Sequence, residues 1–386
     1  MRKVYLHIGM PKTGTSSIQS FMVSNQRALL SQGYVYKRMP WDYMDASRKR
    51  NAHFLVKRMY DENGKNDVAA FEERRNEGWA IIDKWFKEGD NIILTDEGIW
   101  KMFASRNIIE DTMQRCRERD AQLVVVVYLR SQDDFVESYY AQKIEEGWRS
   151  QPWGDKYLKK ITREHQLDYR VALEKIEDIV GKENVKPRVF DRGAFVGGSV
   201  IQDFLETIGV EYTDEFEELE EEKNITLIPE LVEIKRAMNN ILGGNYYANK
   251  GPEWRMLQLL VNDTHARINQ TKPQPKRTLF TAEQRAAFME QFAESNSWVA
   301  QRYLGRDELF PNRTDEKTIF ALDNKRQIDV LAQVVATIAL KNERLLNELD
   351  EKYKVNASQI EGVKNAKKET FTYRVKRKVK KILGRY

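Results

Sequence analysis

Val4-Tyr5-Leu6-His7-Ile8-Gly9-Met10-Pro11-Lys12-Thr13-Gly14-Thr15-Ser16-Ser17-Ile18-Gln19-Ser20-Phe21 is the stretch whose reading decides the fold. An apolar run reads as a buried strand. A tight loop bounded by Gly and Pro follows, and Thr and Ser then open a helix. Such a strand–loop–helix aims backbone N–H groups and a helix N-terminus at one point, where an anion can sit. Lys12 adds a mobile positive charge at that point. The plainer reading is a capped helix after a strand, with Lys12 solvated. It accounts for less, because Gly, Lys, Thr and Ser all fall where a phosphate cradle needs them. The loop is not a Walker A motif. Gly9 and Gly14 have that spacing, but Thr15 follows Gly14 and the Lys lies two residues before it.

Outward from this loop, strands alternate with helical patterns. Residues 16–31 read as one helix, and Tyr34-Val35-Tyr36 as a short strand. Residues 40–66 read as loop and helix over the site, and 67–88 as a helix. Asn91-Ile92-Ile93-Leu94-Thr95 is a third strand ending in Asp96-Glu97, followed by a helix around 106–118. Leu123-Val124-Val125-Val126-Val127-Tyr128-Leu129 is an unbroken run that fits a central parallel strand covered on both faces. It ends in Arg130, and a helix carrying Ser138 follows. Beyond the Trp- and Lys-rich segment 148–165, a helix is expected over 168–180. Val185-Lys186-Pro187-Arg188-Val189-Phe190 reads as an edge strand because of its Pro.

This alternation predicts an α/β fold: a P-loop-like open parallel sheet flanked by helices. Ligands then bind beyond the carboxyl ends of the strands. Those ends carry Gly9–Ser16, Asp96-Glu97, Arg130-Ser131 and Asp191-Arg192. Residues 211–223 are an acidic run, read as a solvated linker or helix face. Residues 224–310 read as mostly helical, with Lys-Pro-Gln-Pro-Lys at 272–276 as a rigid loop. The expected division is a core over 1–212, a helical part over 213–322, and a helical extension with a basic tail over 323–386.

The 386 residues carry a net charge of +5. Residues 364–386 hold ten Lys/Arg and one acid, a local +9, so the first 363 sum to −4. Basicity is a tail property and does not argue for a nucleic-acid-binding body. The single cysteine, Cys116, forbids an internal disulfide and fits a reducing compartment. The N-terminus makes a poor signal peptide, and no apolar run is long enough to span a bilayer. These features predict a cytoplasmic protein. Ile328, Leu331, Val335, Ile338, Asn342, Leu345 and Leu349 follow 3-4 spacing, as in a coiled-coil seam that would join copies of the chain through 328–349. Packing against its own domain is the competing reading. Phe371, Val375, Val379, Ile382, Leu383 and Tyr386 share one face of a basic helix, a pattern for peripheral contact at the inner membrane face or for a disordered tail.

Two separated segments resemble those of sulfotransferases that use 3′-phosphoadenosine 5′-phosphosulfate (PAPS). HIGMPKTGTSSIQSF is similar to their 5′-phosphosulfate loop. VVVVYLRSQDDFVESYYAQKIEEG is similar to their 3′-phosphate segment, in which a strand ends in Arg and a Ser follows eight residues later. The resemblance extends through Val189–Leu205 and, more loosely, Asn224–Leu227 and Phe292–Phe310. It implies PAPS as co-substrate, held by Lys12, Thr13, Gly14, Thr15, Ser16 and Ser17 at one end and by Arg130 and Ser138 at the other, with Arg192 nearby. Lys12 would stabilise the leaving oxygen. Asp133 and Asp134 should face away from the phosphate. The acceptor implied is a hydroxyl of a glycan or glycolipid. Its base is expected to be Glu97 or, second, His53, with Asp96 inseparable from Glu97 by sequence. Glu97 could instead pair with Arg130 or cap the next helix, and His7 reads as a core residue. Trp41, Tyr43, Trp148 and Trp153 are candidates for stacking on sugar, with core packing the rival reading. No His/Cys/carboxylate cluster has metal-site spacing, so no metal is expected. The alternatives are a P-loop-type kinase, which lacks its Walker Lys here, and a non-catalytic nucleotide-binding scaffold.

Overall fold

The apolar run of β1 (Arg2–His7) is covered on both faces: Val4, Leu6 and His7 are fully buried. In this computed structural model it lies at the centre of a sheet with β2 (Tyr34–Val35), β3 (Asn91–Thr95), β4 (Ala121–Leu129) and β5 (Val185–Val189). The strand order is β2-β3-β1-β4-β5, with every neighbouring pair parallel. The structure describes residues 1–43, 46–103, 107–148, 151–218, 227–241, 252–270, 277–310, 319–320 and interspersed positions between 327 and 348. The expected basic tail at 364–386, the loop at 272–276 and the segment 224–226 lie outside them.

The sheet is covered as a parallel sheet must be. Val124, Val126 and Tyr128 of β4 join one apolar cluster with Ile18 and Phe21 of α1 (Thr15–Ser24) and Phe204 and Ile208 of α9 (Val200–Ile208). Alternate residues of a strand face opposite ways, and α5 (Ile108–Arg117) and α8 (Tyr169–Val180) also pack on β4. Pro187 sits in the edge strand β5, where a missing N–H costs no ladder bond. Buried Asp203 ties that edge down: it accepts from the Tyr128 hydroxyl at 2.7 Å and from Arg188 Nε at 2.9 Å.

Several elements differ from expectation. The helix over 16–31 is two helices, α1 and α2 (Gln26–Ser31), broken at Asn25. The Asn25 amide donates to the carbonyls of Phe21 and Glu217, both at 3.1 Å, so a distant loop holds the break open. The segment 148–165 contains α7 (Asp155–Glu164), whose Tyr157, Leu158 and Ile161 are buried. The acidic run is not merely solvated, since Phe216 is buried and stacks on Phe21 with centroids 5.4 Å apart. The helical half also holds one short parallel pair, Arg277–Thr278 with Ile319–Phe320.

The remaining helices named below are α3 (Val68–Trp85), α4 (Gly98–Met102), α6 (Gln132–Glu145), α10 (Pro229–Ile241), α11 (Pro252–Gln270), α12 (Ala282–Glu290) and α13 (Ala293–Val299). Helices α10 and α12 pack on α6, and α13 on α8. The chain divides into two compact units, Met1–Ile328 and Asp329–Tyr386. Among the described residues no helix is long and apolar enough to cross a membrane.

Candidate anion-binding site

After β1 the chain runs to β2 at one edge of the sheet, and after β4 to β5 at the other. Connections leaving neighbouring strands in opposite directions open a crevice between them, here between the ends of β1 and β4. The loop from β1 and Arg130 from β4 meet across it. Arg130 Nη1 donates to the Lys12 carbonyl at 2.9 Å. The Arg130 backbone is held in turn, because the Tyr169 hydroxyl donates to its carbonyl at 2.6 Å.

The loop itself is tightly determined. Lys12 has φ 65°, a left-handed conformation that L side chains adopt only where their surroundings impose it. Two bonds impose it: the one from Arg130, and one from Thr13 Oγ1 to the Met10 carbonyl at 2.6 Å. Gly14 follows with φ 74° and forms the N-cap of α1. A Cβ there would stand 3.2 Å from Phe190 and from Val200, so only glycine lets the helix start this close to the end of β5.

Gly14 has no side chain to cap α1, and the N–H groups of Thr15, Ser16 and Ser17 form its first turn, where no helical carbonyl can reach them. Lys12, Ser16 and Ser17 are exposed at this opening, while Thr13 and Thr15 are buried. Thr15 Oγ1 is shielded from solvent with no hydrogen-bond partner, an orphaned polar atom at the base of the cradle. A set of backbone donors, hydroxyls and a cation around a helix N-terminus suits a phosphate or sulfate group.

Two acids at the end of β3 stand next to the loop, where a Cβ on Gly9 would lie 3.2 Å from Glu97 Cα. Asp96, fully buried, is enclosed by donors: Arg50 Nε and Nη2 at 2.9 and 2.6 Å, His53 Nδ1 at 2.9 Å, and the Gly98 N–H at 2.6 Å. Burial pushes its carboxyl up, but Arg50 and His53 more than offset this and hold it at about 2. Asp96 is thus a fixed anion that orients Arg50 and His53, which separates it from Glu97. Glu97 has a side chain 35% exposed and lies 3.5 Å from Arg50 Nη1. It occupies the N-cap position of α4 without a side-chain capping bond, and no described contact pairs it with Arg130; Arg50 takes that place. Burial raises its carboxyl above the ordinary range. Asp96 and Glu146 push the same way, while Arg50 and Lys12 oppose the rise without cancelling it. Burial raises the Glu145 carboxyl on α6, and Lys12 is among the groups that oppose the rise, so α6 runs beside the cleft.

The structure therefore brings Lys12, Gly14, Thr15, Ser16, Ser17, Arg130 and Glu97 to one end of the sheet. Ser138 lies half-buried on α6, and Arg192 is exposed beyond β5. Among the described residues no hydrogen bond joins either to the cradle. Asp133 accepts from Arg285 Nη1 at 2.9 Å, so its charge is already matched by α12. His53 is buried, with its ring 4.7 Å from that of Tyr43. His7 is a core residue: its Nδ1 lies 3.1 Å from Thr95 Oγ1, and burial lowers its pKa to about 4. Trp153 packs edge-on to Tyr140 and Phe280 at 5.3 and 4.9 Å, which makes it part of the core under α6. Trp41 lies under the Arg74 guanidinium at 4.4 Å. Trp148 stays partly exposed, and its Nε1 donates to Glu146 at 3.2 Å.

Sequence reasoning missed Arg50 and Tyr169. An acidic pair at a strand end signals that a cation should approach. Nothing local in Ser47-Arg48-Lys49-Arg50 says which one does.

No protein-family model matches the sequence. An uncharacterised protein of Archaeoglobus fulgidus is 26% identical over 213 residues, which are 55% of this chain and 54% of that protein. The chain thus spans about half the length of the curated relative it matches. Among solved structures, a sulfotransferase from Alicyclobacillus acidocaldarius aligns over 57% of this chain and 87% of its own, at 18% identity and a TM-score of 0.33.

Proposed function

We propose that this chain is a sulfotransferase that moves the sulfuryl group of PAPS to a hydroxyl of a carbohydrate or glycolipid acceptor. The observation that carries this reading is the bond from Arg130 to the Lys12 carbonyl, which couples two cationic strand ends into one crevice. A donor with phosphates at both its 3′ and 5′ ends needs two such anion sites, one at each end. The first turn of α1 with Lys12, Thr15, Ser16 and Ser17 receives the 5′-phosphosulfate. Arg130 receives the 3′-phosphate, aided by Ser138 and Arg192.

In the reaction the acceptor oxygen forms a bond to sulfur as the bond from sulfur to the bridging phosphate oxygen breaks. The electron pair leaves with adenosine 3′,5′-bisphosphate. Lys12 stabilises the charge that develops on that leaving oxygen, the same demand met by cations in phosphoryl transfer. The acceptor proton goes to Glu97. A carboxyl that burial raises above its ordinary range, with Arg50 and Lys12 opposing the rise, is a stronger base than a free one. Asp96 positions His53 and Arg50 behind it.

The test is transfer of labelled sulfate from PAPS to a panel of oligosaccharides and glycolipids, with phenols and steroid alcohols as comparison acceptors. Labelled glycan is the expected product. Label found only on phenols or steroids would reject the acceptor class, and no label on any acceptor would reject the transferase.

A further inference from the structure

The described positions from 327 to 348 are helical. Their exposure follows a pattern that a solvated surface helix would not require. Leu331, Val335, Ile338 and Leu345 are 47%, 59%, 40% and 54% exposed, and Asn342 between them is exposed as well. Their spacing is 4, 3, 4 and 3 residues, so they form one continuous stripe. Val330, Val334 and Thr337, among the same described positions, are buried. These positions therefore bury a different stripe and leave the heptad stripe open.

We infer that this stripe is the interface for a second copy of the chain, joined in register as a parallel two-stranded coiled coil. Three features select that occupant over an unrelated partner. Val335 and Asn342 stand at a positions, and Leu331, Ile338 and Leu345 stand at d. A β-branched residue at a, with Leu at two of these three d positions, is nearest to the combination that favours two parallel strands. Asn342 is a lone polar residue at a. Buried against an apolar partner it would lose its hydrogen bonds, whereas in register it meets the same amide from the other copy. Finally, Glu348 beside the stripe is already paired within its own helix, with Arg344 Nε at 2.9 Å, so it brings no unmatched charge to the seam.

The inference does not rest on the reading of the anion-binding site, and its test is separate. Light scattering on the full chain should give the mass of a dimer, and Val335→Lys should give a monomer with unchanged circular dichroism. A monomeric wild-type chain, or a dimer that survives Val335→Lys, overturns the proposal. Orientation is read with Ile338→Cys. The natural Cys116 is buried with its thiol pushed up to about 12, so it contributes little background. In-register parallel pairing forms the disulfide-linked dimer on mild oxidation. A dimer that fails to crosslink is not parallel and in register, which also overturns the assignment. Asn342→Leu should keep the association but shift it toward higher oligomers, as the loss of a register-setting amide predicts.

Discussion

Arg130 Nη1 donates to the carbonyl of Lys12 at 2.9 Å, joining the end of β4 to the loop after β1. The bond occupies the Lys12 carbonyl and fixes the loop that leads into the first turn of α1. Arg130→Ala should therefore weaken binding of adenosine 3′,5′-bisphosphate in two ways, through the lost cation and through the relaxed loop. A loss of at least tenfold in affinity by calorimetry is expected, a factor that corresponds to about 1.4 kcal/mol. Lys at this position should recover only part of it, because a point charge cannot reproduce the planar fork.

Lys12→Ala should abolish sulfuryl transfer while the protein keeps its melting temperature. Lys12 is exposed, so its side chain contributes little to the core. An active Lys12→Ala protein would remove this residue from the chemistry.

Gly14→Ala tests the loop rather than the charge. The left-handed backbone at φ 74° and the contacts at 3.2 Å with Phe190 and Val200 both oppose a methyl group. The expected loss of stability is about 1–2 kcal/mol, read by denaturant unfolding. Ligand affinity should fall further than stability does.

The loop could be read from sequence because its parts are contiguous: Gly, Lys, Thr and Ser follow one another between β1 and α1. Strand β4 was legible for the same reason, an unbroken apolar run needing both faces covered. Arg50 was not legible, since its partner Asp96 is 46 residues away and nothing in either segment names the other. The break at Asn25 depends on Glu217, 192 residues distant. Helix α7 was hidden because its buried positions are few and its N-cap is Gly154 rather than a side-chain cap. Local chemistry is visible in sequence, while long-range pairing appears only after the chain has folded.

Two buried histidines predict the acid sensitivity of the fold. Burial lowers His7 to about 4; His165 falls to about 3 through burial, helped by Lys101 and Lys143. Both ring nitrogens of His165 lack a hydrogen-bond partner, and its ring sits 4.3 Å from that of Tyr139. Each folded pKa is below the unfolded value, so the unfolded chain binds more protons as pH falls. Stability is full above about pH 6.5 and should decline by about 1.4 kcal/mol per pH unit for each histidine between there and pH 4. Unfolding curves at pH 7, 6 and 5 measure the slope, and His165→Phe should reduce it. An unchanged slope in that variant would show that His165 does not titrate on unfolding.

Glu97→Gln should lower kcat by about 10²–10⁴-fold, the range of a lost general base. It should also remove the acidic limb of the activity–pH profile. His53→Ala should lower activity less and leave that limb in place, because His53 acts through Asp96 and the loop around Arg50. If the limb moves in His53→Ala and not in Glu97→Gln, the two roles are reversed.

The central claim is that the crevice takes a nucleotide phosphorylated at both ends, and thermal-shift binding tests it most directly. Adenosine 3′,5′-bisphosphate without metal should raise the melting temperature of the wild-type chain, ATP with Mg²⁺ should not, and Arg130→Ala should blunt the response. A larger shift with ATP and Mg²⁺ would contradict the account.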